Sequence, residues 1–360
     1  MHSSTSNFEN NLPNAKWHII LPLTILIFFI TVGSFEVFAR SKGYKPTLND
    51  EKFLWAKIRA SVQPNDTVII GSSRALFDLD LDELEIALNV KDIKQLAMTG
   101  SSPAPILENL ANDNNFKGTI ICGIVPGLFF TPDNIPPMNK PKEWVKTYLT
   151  FSPSEKTNLM LNHLLESNLA YLKQDDLPLK ELLKQLPLPN RDQVILPPKL
   201  PPYFFEIDKR REAKMIQKVL DDQNFREGIQ NGWLPLFTPP PFPPFIKPEQ
   251  IPDIIEKMIA SKIQFTKECV DKLSSRGAKI VFVRFPSTDK LRDLENKITP
   301  RQPCWDRLLL ETGAKGIYWE DYETLKHFTC PEWSHLSAED SVEFSKELGA
   351  ILKEKLEKIE

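Results

Sequence analysis

Two adjacent serines and one distant histidine are the residues of this sequence best suited to nucleophilic chemistry. Ser72 and Ser73 follow a short β-branched run, "TVII", and precede an amphipathic stretch. His335 lies near the C-terminus in "CPEWSHLSAED", three residues after Glu332. A serine hydroxyl becomes a nucleophile when a histidine takes its proton and a carboxylate orients that histidine. We therefore expect Ser73 within hydrogen-bond reach, or one water, of His335; the alternative for the serines is a helix N-cap.

Such a site also needs backbone N–H donors that stabilise an oxyanion. The N–H of Ser73, at a predicted helix start, is one candidate. Gly100 in "LAMTGSSP", just after the second predicted strand, supplies the other. Glu332 is the favoured carboxylate partner of His335, and Asp321 in "WEDY" is the alternative.

Three arginines are weaker candidates for binding an anionic substrate group: Arg74, Arg284 and Arg301. Arg74 is adjacent to the predicted nucleophile and has the best claim. Arg284 and Arg301 fall at a strand end and in a loop, where an ordinary surface ion pair is the favoured interpretation.

The cysteines predict neither a metal site nor another cofactor. They are Cys122, Cys269, Cys304 and Cys330, and none belongs to a C-x-x-C pair. Cys304 and Cys330 could form a disulfide if the domain lies outside the cytosol. With a net charge of -3 and no block rich in lysine and arginine, the chain is also not predicted to bind nucleic acid.

An α/β domain is expected to position these residues, because predicted strands and helices alternate. The predicted strands are 67–70, 93–97, 118–124, 279–285 and 316–319. The predicted helices lie at 81–88, 103–110, 254–275 and 337–355. Ser73, Gly100 and the "GIVPG" loop all follow strands, so a parallel sheet would bring them to one crevice at its carboxyl edge.

The region from 127 to 252 breaks this alternation. After a helical piece at 154–172 it contains the proline-dense stretches "LPLPNRDQVILPPKLPPYFF" and "WLPLFTPPPFPPFIKPEQIP". Successive prolines favour extended chain over helix or central strand. Because aromatic residues favour burial, we expect this insertion to pack over the α/β domain as a lid or groove wall. A loose spacer is the alternative.

The N-terminus predicts a membrane anchor. Ile19–Phe35 carries no charged residue, and residues 17–39 approach the roughly 20 residues that a span needs. A cleavable signal peptide is the competing interpretation, but no small-x-small cleavage site follows the apolar run. The flanking basic residues are Lys16 before it and Arg40, Lys42 and Lys45 after it. That asymmetry alone would favour a cytoplasmic C-terminal part.

These observations divide the chain into six segments. They are an N-terminal tail (1–16), a transmembrane anchor (17–39), a juxtamembrane stalk (40–64), the first part of the α/β domain (65–126), a proline-rich insertion (127–252) and the second part of the domain (253–360).

Three sequence blocks resemble a known family. "GSS" at 71–73, Gly100 after the second strand and "EWSHL" near the end are similar to blocks of the SGNH/GDSL hydrolase superfamily. The closest resemblance is to its membrane-anchored members linked to alginate O-acetylation and lipoteichoic-acid D-alanylation. It covers about residues 68–125 and 260–352, and not the insertion.

The resemblance implies a flavodoxin-like, three-layer α/β/α parallel sheet and assigns roles to individual residues. Ser73 matches the nucleophile, Gly100 an oxyanion donor, His335 the general base and Glu332 the position of the family's Asp. The sequence departs from the family in two places. Ser72 stands where the soluble members have Asp, and the loop after the third strand lacks the family's oxyanion Asn.

The function implied is an esterase or O-acyltransferase acting on a cell-surface saccharide or another acyl ester. It would be a single-pass protein of the cytoplasmic membrane with its catalytic domain outside the cytoplasm. A catalytically degenerate scaffold, bound to a multi-span membrane acyltransferase, is the alternative.

Overall fold

The computed structural model describes residues 16–133, 135–172, 204–239, 242–243 and 245–358. Within these residues the strands are β1 (Thr67–Ile70), β2 (Lys94–Gln95), β3 (Thr119–Gly123), β4 (Phe205–Ile207), β5 (Ala213–Met215), β6 (Lys279–Arg284) and β7 (Lys315–Tyr318). A parallel five-stranded sheet has the order β2-β1-β3-β6-β7, and β4 and β5 form an antiparallel hairpin.

The parallel sheet lies in the core because its central strands consist mainly of apolar residues. All four residues of β1 are buried, as are five of the six residues of β6. Strands covered on both faces read as continuous apolar runs rather than as alternating patterns. The predicted α/β class with a parallel sheet is confirmed, and the predicted strands 67–70, 118–124 and 279–285 match β1, β3 and β6 to within one residue at each end.

The described residues also contain helices. They are α1 (Trp17–Ser41), α2 (Lys52–Ser61), α3 (Ser73–Phe77), α4 (Leu81–Leu88), α5 (Ala104–Ala111), α6 (Pro126–Phe129), α7 (Pro136–Thr150), α8 (Pro153–Glu166), α9 (Lys218–Asp221), α10 (Gln223–Phe237), α11 (Ile251–Ser274), α12 (Asp289–Ile298), α13 (Arg307–Thr312) and α14 (Ala338–Glu357). Short 3₁₀ segments cover Ala170–Leu172, Pro248–Gln250 and Trp319–Asp321, and a π-helical turn covers Gln302–Asp306.

α1 is long and apolar enough to cross a membrane. It has 25 residues, a mean hydropathy of 2.2 over its most apolar window and no buried residue in that window. At 1.5 Å per residue its length is about 37 Å, compared with about 30 Å for a hydrocarbon core. The helix extends two residues beyond the predicted anchor, to Ser41.

Residues 40–64 are not a solvated stalk, which corrects the expectation from their polar composition. α2 packs against α7, and Leu54 and Trp55 are fully buried. The Trp55 indole N–H donates to the carbonyl of Leu96 at 2.9 Å. The alternation of charged and apolar residues in this segment gives α2 one buried face, so it belongs to the folded domain.

The described part of the insertion contains α7, α8, the β4–β5 hairpin and α10. Most of the first proline-dense stretch lies outside the described residues. The second begins as helix and not as extended chain, because α10 continues through Pro235 to Phe237. A single proline in a last turn removes few helical hydrogen bonds, and the burial of Trp233 holds this turn in place.

The four cysteines are buried and unpaired. The disulfide between Cys304 and Cys330 that the sequence left open is therefore not formed. Burial raises the pKa of the Cys269 thiol to about 12 and that of Cys304 to about 11, so neither forms a reactive thiolate near neutral pH.

Candidate active site

The corner between β1 and α3 places Ser73 at the carboxyl edge of the sheet. Gly71 has φ +156°, and a Cβ at this position would lie 2.6 Å from the Cβ of Ala75. Gly123, at the end of β3, is equally close, since a Cβ there would lie 2.8 Å from the same atom. These two glycines let α3 pack directly against the ends of β1 and β3. Ser73 is the first residue of that helix.

The serines of this corner do not cap α3. Ser72 precedes the helix with an extended backbone, but its side chain makes no capping hydrogen bond. The Ser72 Oγ is buried and has no hydrogen-bond partner. Ser73 is half-buried. Side-chain capping therefore does not account for the two hydroxyls.

His335 and Glu332 form a buried, hydrogen-bonded pair in the loop before α14. Glu332 Oε1 lies 2.9 Å from His335 Nδ1 and also accepts the backbone N–H of His335 at 2.5 Å. Both residues have no exposed surface. When Nδ1 donates its hydrogen to the carboxylate, Nε2 of the neutral ring carries the lone pair. Nε2 has no hydrogen-bond partner, so this imidazole is arranged to accept a proton.

Trp333, between these two residues, has an uncommon backbone conformation. Its φ is +79°, in the left-handed region that bulky residues rarely adopt. The Trp333 carbonyl accepts the backbone N–H of Thr288 at 3.0 Å, which holds the turn. This conformation turns the chain back so that the Glu332 carboxylate meets the N–H and the ring of His335. Backbone strain of this kind is concentrated at functional sites.

Hydrogen bonds with Arg74 and Asp78 attach this loop to α3. The Arg74 Nε donates to the carbonyl of Ser334 at 3.0 Å. The Asp78 Oδ1 accepts the backbone N–H of Leu336 at 2.9 Å. The residues on either side of His335 are thus held by residues of α3 and of its C-terminal cap.

The His335 ring packs against Phe77 of α3, the helix whose first residue is Ser73. The Phe77 and His335 ring centroids are 4.5 Å apart. Ser73 and Phe77 are four residues apart and therefore lie on one helix face. Because His335 Nε2 has no partner, the direct hydrogen bond expected from Ser73 is not formed in this structure.

The insertion covers the histidine. The Trp233 indole N–H donates to Glu332 Oε2, so both carboxylate oxygens have partners. The ring centroids of Phe204 and Trp233 lie 5.6 Å and 5.7 Å from that of His335. The His335 imidazole is therefore enclosed between α3 on one side and aromatic residues of the insertion on the other.

Asp78, which is in contact with the same loop, is buried and incompletely paired. Burial raises the pKa of its carboxyl well above the ordinary value. Its Oδ1 accepts the Leu336 N–H, whereas Oδ2 has no partner. The site thus contains a carboxyl in addition to that of Glu332, and burial disfavours the charged form of this carboxyl, Asp78.

Arg74 and Arg284 are not placed to bind a substrate, which corrects the sequence-based expectation. Each has about 1% of its surface exposed. Both guanidiniums donate to the buried carboxylate of Glu295, Arg74 Nη2 at 2.7 Å from Oε1. The Ser287 hydroxyl donates to the same carboxylate at 2.7 Å. The ion pair that the sequence favoured for Arg284 is present, but it is buried and not at the surface.

Arg301 and Asp321 pair with each other on the surface. The Arg301 Nη1 and Nη2 each lie 2.7 Å from an oxygen of Asp321. Both side chains are more than a third exposed. Asp321 is thus engaged away from His335, which is instead held by Glu332.

Gly100 lies at the same sheet edge as Ser73. The Met98 N–H donates to the carbonyl of Gly71 at 3.0 Å, so the chain after β2 runs beside the start of the corner. Gly100 follows in an exposed turn with φ +61°, which glycine adopts without strain. Gly100 lies two residues after Met98, which contacts Gly71, so the Gly100 N–H remains a candidate oxyanion donor.

Sequence reasoning did not identify Trp233, Phe204, Asp78 or Glu295 as part of this region. The aromatic content of the insertion indicated burial, but no local pattern specified which ring meets the histidine. Glu295 is 221 residues from Arg74, and Trp233 is 99 residues from Glu332. Such partners are set by tertiary packing.

No family model, curated protein or solved structure matches this chain. Among the residues that the structure describes, no group of histidine, cysteine, aspartate and glutamate side chains could hold a metal ion.

Proposed function

We propose that this chain is a membrane-anchored serine esterase or O-acyltransferase of the SGNH type. One observation carries the proposal. The His335 imidazole is fixed by Glu332 at Nδ1, is unpartnered at Nε2, and packs against Phe77, four residues after Ser73 on α3. The strand order supports it, because 2-1-3-4-5 is the order of flavodoxin-like sheets, which bind ligands at the strands' carboxyl ends.

In the proposed reaction the Ser73 Oγ attacks the carbonyl carbon of an ester, and His335 Nε2 takes the hydroxyl proton. Glu332 stabilises the imidazolium and keeps its orientation. The N–H groups of Ser73 and Gly100 stabilise the tetrahedral oxyanion. The imidazolium then protonates the leaving alkoxide, and the acyl group stays on Ser73.

Water or an acceptor hydroxyl completes the cycle by attacking the acyl carbon while His335 takes its proton. The bond between this carbon and Ser73 Oγ then breaks, and the imidazolium returns the proton to Oγ. The first outcome is hydrolysis and the second is O-acyl transfer. The substrate proposed is an acyl ester of a cell-surface saccharide or a related ester. This places the domain outside the cytoplasm, with α1 as a single span.

That orientation opposes the excess of basic residues after α1. A reporter that is active only outside the cytoplasm, fused after the last residue, is expected to give signal. A signal from a cytoplasm-specific reporter alone would remove surface polymers as substrates.

The closure of the site favours a second candidate function. His335 has no exposed surface beneath Phe204 and Trp233, and the loop after β3 lacks a donor Asn. A scaffold that binds a multi-span acyltransferase would not need an open site. In that case the Glu332–His335 pair would be purely structural.

An alkyl fluorophosphonate, applied to the full chain in membranes, separates the two functions. The wild type and Ser72→Ala are expected to be labelled, and Ser73→Ala is not. Ser72 is the matched control because it occupies the same corner with a buried hydroxyl. No labelling of the wild type favours the scaffold, and undiminished labelling of Ser73→Ala assigns the nucleophile elsewhere.

A further inference from the structure

The C-terminal half of α8 exposes four apolar side chains on one side. They are Met160, Leu161, Leu164 and Leu165, with 74%, 57%, 64% and 48% of their surfaces exposed. Their spacing places them on one helix face. We refer to these four residues as the α8 apolar face.

The opposite side of α8 packs on the domain. Leu159 and Glu166 are buried. Glu166 Oε1 accepts the side-chain N–H of Asn49 at 2.7 Å, and Oε2 accepts the Asn49 backbone N–H at 3.2 Å. The helix is thereby fixed in rotation, so the α8 apolar face points away from the core.

The chain that follows α8 is attached to the end of the membrane helix. The Glu36 carboxylate accepts the backbone N–H groups of Ala170 and Tyr171 at 3.0 Å and 3.2 Å. Arg40 donates to the carbonyl of Asn168 at 3.2 Å. Since Glu36 lies five residues before the end of α1, these contacts are within about 8 Å of that end along the helix axis.

We infer that the α8 apolar face lies in the surface of the bilayer that α1 spans. The face ends at Leu165, three residues before Asn168, so it is continuous with the contacts at the end of α1. A helix with one apolar side, lying in the membrane plane, buries that side at the boundary of headgroups and acyl chains. α1 and α8 together then form a single lipid-contacting surface.

Two features at the same level suit a lipid interface. Tyr171 packs near Phe35 of α1, with ring centroids 6.5 Å apart, and tyrosine is enriched at headgroup depth. The side chains of Arg40 and Lys45 are 53% and 73% exposed beside the end of the span. Basic residues at this position are attracted to anionic headgroups.

Lipid contact can be measured on the full chain in nanodiscs of phosphatidylcholine and phosphatidylglycerol. An environment-sensitive fluorophore is attached through Leu164→Cys, and independently through Met160→Cys. The native cysteines are buried and do not compete for the label. Leu310→Cys is the matched control, because Leu310 is a helical leucine that is 83% exposed.

The probes on α8 are expected to emit at shorter wavelength than the Leu310 probe. They should also be quenched several-fold more strongly by lipids brominated near the headgroup. Equal behaviour at all three positions would overturn the inference. So would α8 probes that are shielded from an aqueous quencher but untouched by brominated lipid, because a protein partner would then cover the face. The inference does not depend on the acyl-transfer chemistry.

Discussion

Glu295 and Glu332 are both buried carboxylates beside α3, but their surroundings differ. Glu295 accepts hydrogen bonds from Arg74, Arg284 and Ser287. Glu332 accepts from Trp233 and from the backbone and ring of His335. In the first group the carboxylate charge is met by two guanidiniums. In the second the chain of contacts stops at His335 Nε2, which has no partner.

This difference separates a structural cluster from a candidate reactive one. A buried charge is tolerated when opposite charges and hydrogen bonds surround it, as they do at Glu295. An unpaired buried nitrogen costs stability, and folds retain such atoms where they have a use. The cluster around Glu295 therefore holds α3 in place, whereas the pair at His335 leaves one ring nitrogen free for the proposed role as a base.

The largest effect is expected from His335→Gln, because the proposed mechanism assigns the general base to this residue. Esterase kcat/KM should fall by about 10³-fold or more, as in deletions of triad members. Circular dichroism should show that the fold is retained. His327→Gln, at an exposed histidine, is the control. Equal activity of the two variants would mean that His335 is structural.

The next effect concerns stability and comes from Glu295→Gln. Removing the charge that faces two buried guanidiniums should cost about 3–5 kcal/mol of unfolding free energy. Denaturant unfolding near neutral pH measures it. Asp321→Asn, in an exposed pair with Arg301, should cost at most about 1 kcal/mol. Similar losses would contradict the structural role assigned to Glu295.

The same carboxylate predicts how stability depends on acid. Burial opposes the charge of Glu295, but Arg284 and Arg74 outweigh this and lower its pKa to about 2, from 4.5. The stabilisation from Glu295 is complete when the pH is above 4.5, the pKa in the unfolded chain. It is lost as the pH falls from about 4.5 to about 2. Thermal unfolding across this window should show a steeper decline for the wild type than for Glu295→Gln. Parallel curves would argue against the assignment.

A smaller effect on activity is expected from Trp233→Phe, which keeps an aromatic ring against His335 but removes the donor to Glu332. A hydrogen bond to a charged group contributes about 1.5–3 kcal/mol, so kcat/KM should fall by roughly 10- to 100-fold. Trp319→Phe is the matched control, since the buried indole N–H of Trp319 has no partner.

The smallest effect is expected from Asp78→Asn. Burial raises the pKa of Asp78, so the native state holds this proton more tightly than the unfolded chain. The stability that Asp78 contributes to the wild type therefore falls as the pH rises above the ordinary pKa of an aspartate. The amide keeps the bond to Leu336 without the charge. The free energy of unfolding of Asp78→Asn should therefore exceed that of the wild type by an amount that grows with pH, up to about 1 kcal/mol.

The sequence predicted the sheet and the local geometry of the site better than its long-range contacts. β-branched runs bounded by glycine located β1 and β3, and the three-residue spacing of Glu332 and His335 predicted their pairing geometry. The partner of Arg74 was not predictable, because hydrophobic periodicity carries no information on which distant charge meets a buried one. The packing of α2 was missed because its charged residues gave it the composition of a stalk.

The attachment of α1 to residues 168–171, through Glu36 and Arg40, restricts how the domain moves. A catalytic domain on a flexible tether explores a volume whose radius the tether sets. With α1 spanning a bilayer, as proposed, the domain would turn with this helix, diffuse laterally with it and stay close to the membrane surface. The protein would then sample a layer parallel to the membrane, and the proposed ester substrate would have to enter that layer.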